Sequence, residues 1–286
     1  MRKISLDKLN RLFSKIAETQ TLYMPVDTKT GARYEKWEEG KELSDALNTV
    51  RSAKDFFFPQ TENLMDFKME GKNIEIIDTR NEAEDFVIFG VRACDVKSFE
   101  ILDRVFLADP ADSYYENRRN HGTIVSMACT RPVETCFCQT FGIDAASPEG
   151  DVVCHKTDDA LYLEAKTEKG ETLLNSLNDI TEDTDRSAVD EQVKTVHERM
   201  SKLPLASLSA DAFGADKTKE FFDRPEWAEL SQSCLGCGTC TFVCPTCQCY
   251  DIKDFNTGHG VKRFRCWDSC MYSNFTKMSA GQPRLT

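Results

Sequence analysis

Thirteen of the 286 residues are cysteines, and their spacing is far from uniform. Residues 234–245 read Cys-Leu-Gly-Cys-Gly-Thr-Cys-Thr-Phe-Val-Cys-Pro, which is C-x2-C-x2-C-x3-C-P. Thiolates at this spacing, Cys234, Cys237 and Cys240, grip three irons of one [4Fe–4S] cubane, while the cysteine before the proline, Cys244, serves a different cluster. Gly236 and Gly238 let the backbone wrap close to the sulfides, and Pro245 turns the chain away. A structural zinc site wants two separated C-x2-C pairs instead. Only Cys247, Cys249, Cys266 and Cys270 follow Cys244. The eight cysteines from Cys234 onward suffice numerically for two cubanes. Their irregular spacing leaves two readings open: a cluster with its own kind of ligand set, or a chain that continues beyond Thr286.

A second grouping lies in the amino-terminal part: Cys94, Cys129, Cys136 and Cys138. The elements around it explain why these four should meet. Phe86–Val91 is continuously apolar, as suits a strand buried on both faces. It is followed by a helical period at Val96, Phe99, Ile101, Leu102, Val105 and Phe106, with Asp95 expected as N-cap. A second helix from Ala111 to about Arg119 then leads into another buried strand, Thr123–Met127. Strand, helices, strand is a crossover unit with parallel strands. Cys94 and Cys129 therefore fall just beyond the carboxyl ends of neighbouring parallel strands, the edge where open α/β sheets bind ligands. Cys136 and Cys138 return on the following loop. Four thiols are expected to converge there, with burial as small apolar residues the competing role. Cys154, after a strand-like Asp-Val-Val, is expected to be a packing residue.

The remaining elements read as scaffold: an amphipathic opening helix (Leu6, Leu9, Leu12, Phe13, Ile16), strands near Thr21–Val26 and Asn73–Ile77, and the aromatic run Phe56-Phe57-Phe58-Pro59. The acidic stretch from Glu168 to about Leu203 reads as a solvated face and linker. Pro225 should open a short helix carrying Trp227 and Leu230. The expected organisation is an α/β (α+β) domain over residues 1–210, with its crossover and an amino-terminal [4Fe–4S] site, followed by a helical ferredoxin-like module over 211–286.

Composition narrows the function. With 36 Lys+Arg against 48 Asp+Glu, the formal charge is −12, which repels phosphate backbones and argues against nucleic acid as a partner. No apolar run approaches the roughly 20 residues of a membrane span, and the charged amino terminus lacks the apolar core of a secretory signal. A cytoplasmic location is expected, where thiols stay reduced and an odd cysteine count points to metal or redox chemistry. Neither G-x-G-x-x-G nor G-x-x-x-x-G-K-[ST] occurs, so a flavin or nucleotide would sit on a partner. His121, His155, His197 and His259 are scattered singly, and no catalytic pair stands out.

Several segments together carry a family resemblance: Ser52-Ala-Lys-Asp-Phe-Phe-Phe-Pro-Gln-Thr-Glu62, Arg92-Ala-Cys-Asp95, Cys129 with Cys136-Phe-Cys138, and Cys234–Tyr250 with Trp267-Asp-Ser-Cys270. They resemble the iron–sulfur subunit shared by cytoplasmic sulfhydrogenases (beta subunit), anaerobic sulfite reductases (A subunit) and flavin oxidoreductase modules that feed heterodisulfide reductases. The resemblance spans nearly the whole chain. It implies metal-ligand positions at Cys94, Cys136 and Cys138, and again at Cys244, Cys247, Cys249 and Cys270; Cys266 is outside the pattern. It also implies a second C-x2-C-x2-C-x3-C-P beyond the Gly-Gln-Pro-Arg region, which this sequence lacks. The implied role is single-electron transfer between a flavin subunit that oxidises NAD(P)H and a catalytic hydrogenase or reductase subunit, through two or more [4Fe–4S] clusters. Two rivals stand beside it. One is an iron–sulfur reductase that binds sulfite or polysulfide itself; the other is a zinc-binding adaptor without redox function.

Overall fold

The computed structural model describes residues 1–281 apart from 83 and 212. In chain order, the strands and helices are β1 (Arg2–Ser5), α1 (Leu9–Ala17), β2 (Thr21–Thr28), β3 (Gly31–Lys36), β4 (Thr61–Glu70), β5 (Asn73–Asp78), β6 (Phe86–Arg92), α2 (Ala93–Phe106), α3 (Ser113–His121), β7 (Gly122–Met127), β8 (Val152–Lys156), β9 (Ala160–Ala165), α4 (Glu168–Ser176), β10 (Glu182–Asp183), α5 (Ser187–Met200), α6 (Glu226–Ser231), α7 (Thr239–Val243), β11 (Tyr250–Asn256) and β12 (Gly260–Trp267).

Two sheets organise these elements. The larger has the order β10-β1-β9-β8-β7-β6-β2-β3. Its centre, β2, β6, β7 and β8, is parallel, and its flanks are antiparallel. The sequence explains the centre: Val87, Ile88, Phe89 and Val91 of β6 and every residue of β7 are buried, because both faces are covered. On one face α1 and α4 place Leu12, Phe13, Ile16, Leu173 and Leu174 against Val87, Phe89, Val125 and Cys154. On the other, α2 packs Val96, Phe99, Leu102 and Phe106 against Ile88, Phe57, Phe58 and Trp267. The crossover β6–α2–α3–β7 is present and its strands are parallel. Among the described residues no helix is long and apolar enough to cross a membrane.

Three expectations are corrected. Asp95 is not an N-cap: helix α2 begins at Ala93, so Arg92 holds the cap position. Asp95 sits in the first turn and accepts the Ala53 backbone N–H. The acidic stretch 168–203 is not a linker. It forms α4, β10 and α5, whose buried Leu173, Leu174, Val189, Val196 and Met200 anchor it to the sheet while its charges face water; an amphipathic helix with a highly charged outer face looks like a charge run in composition alone. The carboxy-terminal module contains two short helices, α6 and α7, but its longest elements are the hairpin β11–β12.

That hairpin builds the second sheet, of order β11-β12-β4-β5. Strand β12 pairs antiparallel with β4 and steps around a bulge between Arg263 and Phe264. The bulge lets Arg265 and Trp267 turn into the aromatic core beside Phe58. The two halves of the chain thus share one sheet and one core. At their junction Arg265, 2% exposed, donates from Nε to Glu62 Oε2 at 2.6 Å and from Nη1 to Asp112 Oδ2 at 2.5 Å. Glu62 also receives Arg118 Nε at 2.7 Å.

Candidate iron–sulfur centre

The amino-terminal cysteines meet at the carboxyl edge of β6 and β7. Cys94 occupies the first turn of α2, and Cys129 lies two residues beyond β7, where its N–H donates to Ala145 O at 2.8 Å. Cys136 and Cys138 pack against Cys129 with Val196 and Met200 of α5 behind them. The loop bearing them is held by Cys136 N to Val133 O at 2.9 Å, by Val133 N to Cys136 Sγ at 3.4 Å, and by Ile143 N to Cys138 O at 3.1 Å.

The electrostatics of these thiols show their proximity. Although its surface is open, Cys94 sits in a recess walled by protein; that desolvation, with Asp95, Cys138 and Cys129 nearby, pushes its thiol up to about 12. Burial pushes Cys129 up to about 11 against the opposing pull of Arg92, with Cys138 and Cys136 adding to the rise. Burial raises Cys138 as well, again with Cys136 contributing. Burial and the neighbouring sulfurs disfavour the thiolate form of Cys94, Cys129 and Cys138, and a cationic inorganic core would supply the charge that favours it. Arg92 braces the site by donating to Ala46 O, Leu47 O and Ala128 O at 3.0–3.1 Å.

A second group forms where the module folds onto the aromatic core. The Cys244 thiol hydrogen-bonds with Cys247, Cys247 lies within the field of Cys270, and Cys270 hydrogen-bonds with Cys249. Burial pushes Cys247 up to about 12, and Cys244 and Cys270 add to it. Cys244 is lowered in spite of its burial, by hydrogen bonds from Thr246 and Cys247; Thr246 Oγ1 lies 3.3 Å from its sulfur. Thr241 Oγ1 donates to the fully buried Ser269 Oγ at 2.9 Å and so ties α7 to the turn that carries Cys270. Asp268 N donates to Cys249 O at 2.9 Å and closes the group.

Cys234, Cys237 and Cys240 are exposed on the turn that enters α7. Gly236 and Gly238 both take positive φ there, 66° and 70°, as backbone wrapped around a cluster requires. A side chain on Gly238 would also collide with Tyr272, whose hydroxyl donates to Cys237 O at 3.2 Å. Thr239 Oγ1, 3.2 Å from Cys237 Sγ, lowers that thiol. Cys154 is buried in the main core on β8, as a packing residue, and Cys266 is half-buried on β12 opposite Thr61 and Asp251.

Among the described residues no three His, Cys, Asp or Glu side chains close on a point that would hold a single metal ion. A cubane makes a different demand, since its four thiolates bind four separate irons around a larger body. Cys94, Cys129, Cys136 and Cys138, with Cys244, Cys247, Cys249 and Cys270, supply the sulfur donors and the number that two such bodies would need.

One residue near the second group was given no role in the sequence reading. Lys54, in the 3₁₀ turn Ala53–Phe56, is 1% exposed; its Nζ donates to Cys247 O at 3.0 Å and Thr241 O at 3.3 Å and rests 4.0 Å from the centre of the Trp267 ring. Burial lowers its pKa, while Cys247 and Cys244 raise it. The run Phe56-Phe57-Phe58 read as scaffold, and nothing in the sequence connects position 54 with position 247.

Residues 233–286 match the family model of a 4Fe-4S dicluster domain. The chain is 31% identical over 281 residues to sulfhydrogenase 2 subunit beta of Pyrococcus furiosus, an alignment that covers 98% of this chain and 82% of that protein. No solved structure matches. A relationship over nearly the full length, joined to a dicluster domain, makes this an iron–sulfur electron-transfer subunit with several [4Fe–4S] clusters, and the chain belongs to the sulfhydrogenase beta-subunit family.

Proposed function

We propose that this chain relays single electrons, in the cytoplasm, between a flavin subunit that oxidises NAD(P)H and a catalytic hydrogenase or sulfur-compound reductase subunit. In this reading Cys94, Cys129, Cys136 and Cys138 form one ligand set on the framework of residues 1–210. Cys244, Cys247, Cys249 and Cys270 form a second in residues 211–286. Cys234, Cys237 and Cys240 hold three irons of a further cluster. A bound [4Fe–4S] group supplies one-electron chemistry without proton transfer or bond rearrangement. The protein's part is to hold the thiolates and set the surrounding charge.

What supports the reading is two groups of four cysteines, each containing thiols close enough to shift one another. A quartet of thiolates leaves no vacant iron for substrate, which favours electron relay over direct reduction of sulfite or polysulfide. The test is iron and acid-labile sulfide content of anaerobically purified protein, with the subunits that accompany it. At least about eight irons per chain are expected, with visible absorbance bleached by dithionite. A colourless, zinc-rich preparation overturns the reading.

A further inference from the structure

Lys54 is a cation in an unusual place. Long ammonium side chains keep their charge in water, yet this one is 1% exposed and points under the loop that carries Cys244 and Cys247. The neighbouring Asp55 also favours its charge, but less than the cysteines do, and that carboxylate is paired with Arg51 at 2.5 Å. Among the described residues the groups that favour its charge are chiefly the sulfurs of Cys247 and Cys244. Two carbonyls and the Trp267 face fix the ammonium from three sides, so it does not swing away when the charge in front of it changes.

We propose that Lys54 is a positioning residue for electron transfer: a buried, fixed positive charge that raises the reduction potential of the cluster held by Cys244, Cys247, Cys249 and Cys270. The inference rests on the ligand set proposed above and adds a residue from the other half of the chain. The reasoning is electrostatic. One-electron reduction adds one negative charge to the iron–sulfur group, with the electron coming from the donor subunit or from dithionite and with no bond made or broken. A cation held close by in a medium of low dielectric stabilises that added charge more than the oxidised state. Trp267 presents its π face to the ammonium and keeps water from it. The two hydrogen bonds to Thr241 O and Cys247 O transmit the same residue's hold to α7 and to the ligand loop.

Potentiometric titration of the full-length, anaerobically prepared protein, followed by electron paramagnetic resonance, tests this. The relevant signal is identified as the one altered by Cys270→Ser. Lys54→Met should move its midpoint negative by at least about 59 mV, the one-electron equivalent of a tenfold change in the equilibrium, while the other midpoints stay in place. Lys54→Arg, which keeps the charge, should restore most of the shift. If Lys54→Met loses iron, Lys54→Gln, which keeps a donor to the two carbonyls without the charge, is read in the same way. Full iron content with an unmoved midpoint in the neutral variant overturns the role of Lys54 and leaves the ligand set standing. A wild-type protein without a reducible signal sensitive to Cys270→Ser overturns the ligand set itself.

Discussion

Arg265 is the residue whose loss should most directly separate the two halves of the molecule. It is 2% exposed, it sits on β12, and it reaches Glu62 on β4 and Asp112 at the start of α3. Replacing it with methionine keeps the packing against Phe58, Phe106 and Tyr250, whose rings lie 5.3–5.7 Å from the guanidinium. What it removes is the charge that compensates Glu62, itself only 5% exposed. Breaking a buried pair from one side costs about 3–5 kcal/mol. Glu62 retains Arg118, and Asp112 retains the N–H groups of Tyr114 and Tyr115, so the lower end, about 3 kcal/mol, applies. At about 1.4 kcal/mol per factor of ten, opening of the β4–β12 pairing should become roughly a hundredfold easier. Amide hydrogen exchange of the iron-loaded protein reads this strand by strand: β4 and β12 should exchange about a hundredfold faster, while β7 and β8 change little. The double variant Glu62→Gln with Arg265→Met should recover most of the protection, because removing both partners leaves no buried charge. Unchanged exchange in β12, or no recovery in the double variant, refutes the assignment of this network as the clasp between the two halves of the chain.

Cys136→Ser should remove roughly four irons per chain and leave the remaining cluster signals intact; unchanged iron content would exclude Cys136 from the ligand set. Cys154→Ala should keep all the iron and cost only about 1 kcal/mol of stability, so iron loss in that variant would contradict its burial as a packing residue. His155 is fully buried, and burial, with Arg186 and Lys166 nearby, depresses its folded-state pKa to about 4. The unfolded chain therefore binds the proton first as pH falls below about 6.5. Stability should drop by about 2 kcal/mol between pH 7.5 and pH 5 from this group and level off below about pH 4. The thermal midpoints of wild type and His155→Leu, compared across pH 7.5–5, check it: the variant should lose that part of the slope, and parallel profiles would refute the assignment.

The fold was legible wherever a local pattern decided the structure. The unbroken apolar run at 86–91 and the helical period after it were enough for the parallel crossover, and with it for the meeting of Cys94 with Cys129. β1 was not legible, because four residues at the terminus carry no period, and it gains its place by pairing with β9 and β10. The acidic stretch misled because its surface charge outweighed its few apolar positions; Val189, Val196 and Met200 lie at helical spacing, seven and four residues apart, and in hindsight are the signal. The hairpin β11–β12 was hidden behind the cysteine pattern. Its alternation is blurred by exposed Ile252 and Phe255 and by Arg265 pointing inward. An inward arginine reads as a surface residue until its two carboxylate partners are known.

Spacing alone does not bring the second cysteine group together. Cys244, Cys247 and Cys249 lie within six positions of one another, but Cys270 reaches them only because β11 and β12 carry the chain out and back in register from Tyr250 to Trp267. The hairpin in turn holds its place because β12 pairs with β4 and because Trp267 is locked by Phe58 O at 3.2 Å and Gln60 O at 2.9 Å. The segment that receives Trp267 is the one that delivers Lys54, since Lys54 and Phe58 stand four residues apart and are joined by the Phe58 N–H to Lys54 O bond at 2.8 Å. Docking of the hairpin and placement of the buried ammonium are therefore one structural event. A change that loosens the first, such as Phe58→Ala at about 3–5 kcal/mol, should disturb the iron–sulfur signal sensitive to Cys270→Ser before it disturbs the group around Cys129, which hangs on the ends of β6 and β7 instead. Equal loss of both signals in Phe58→Ala would show that the two centres do not rest on separate supports.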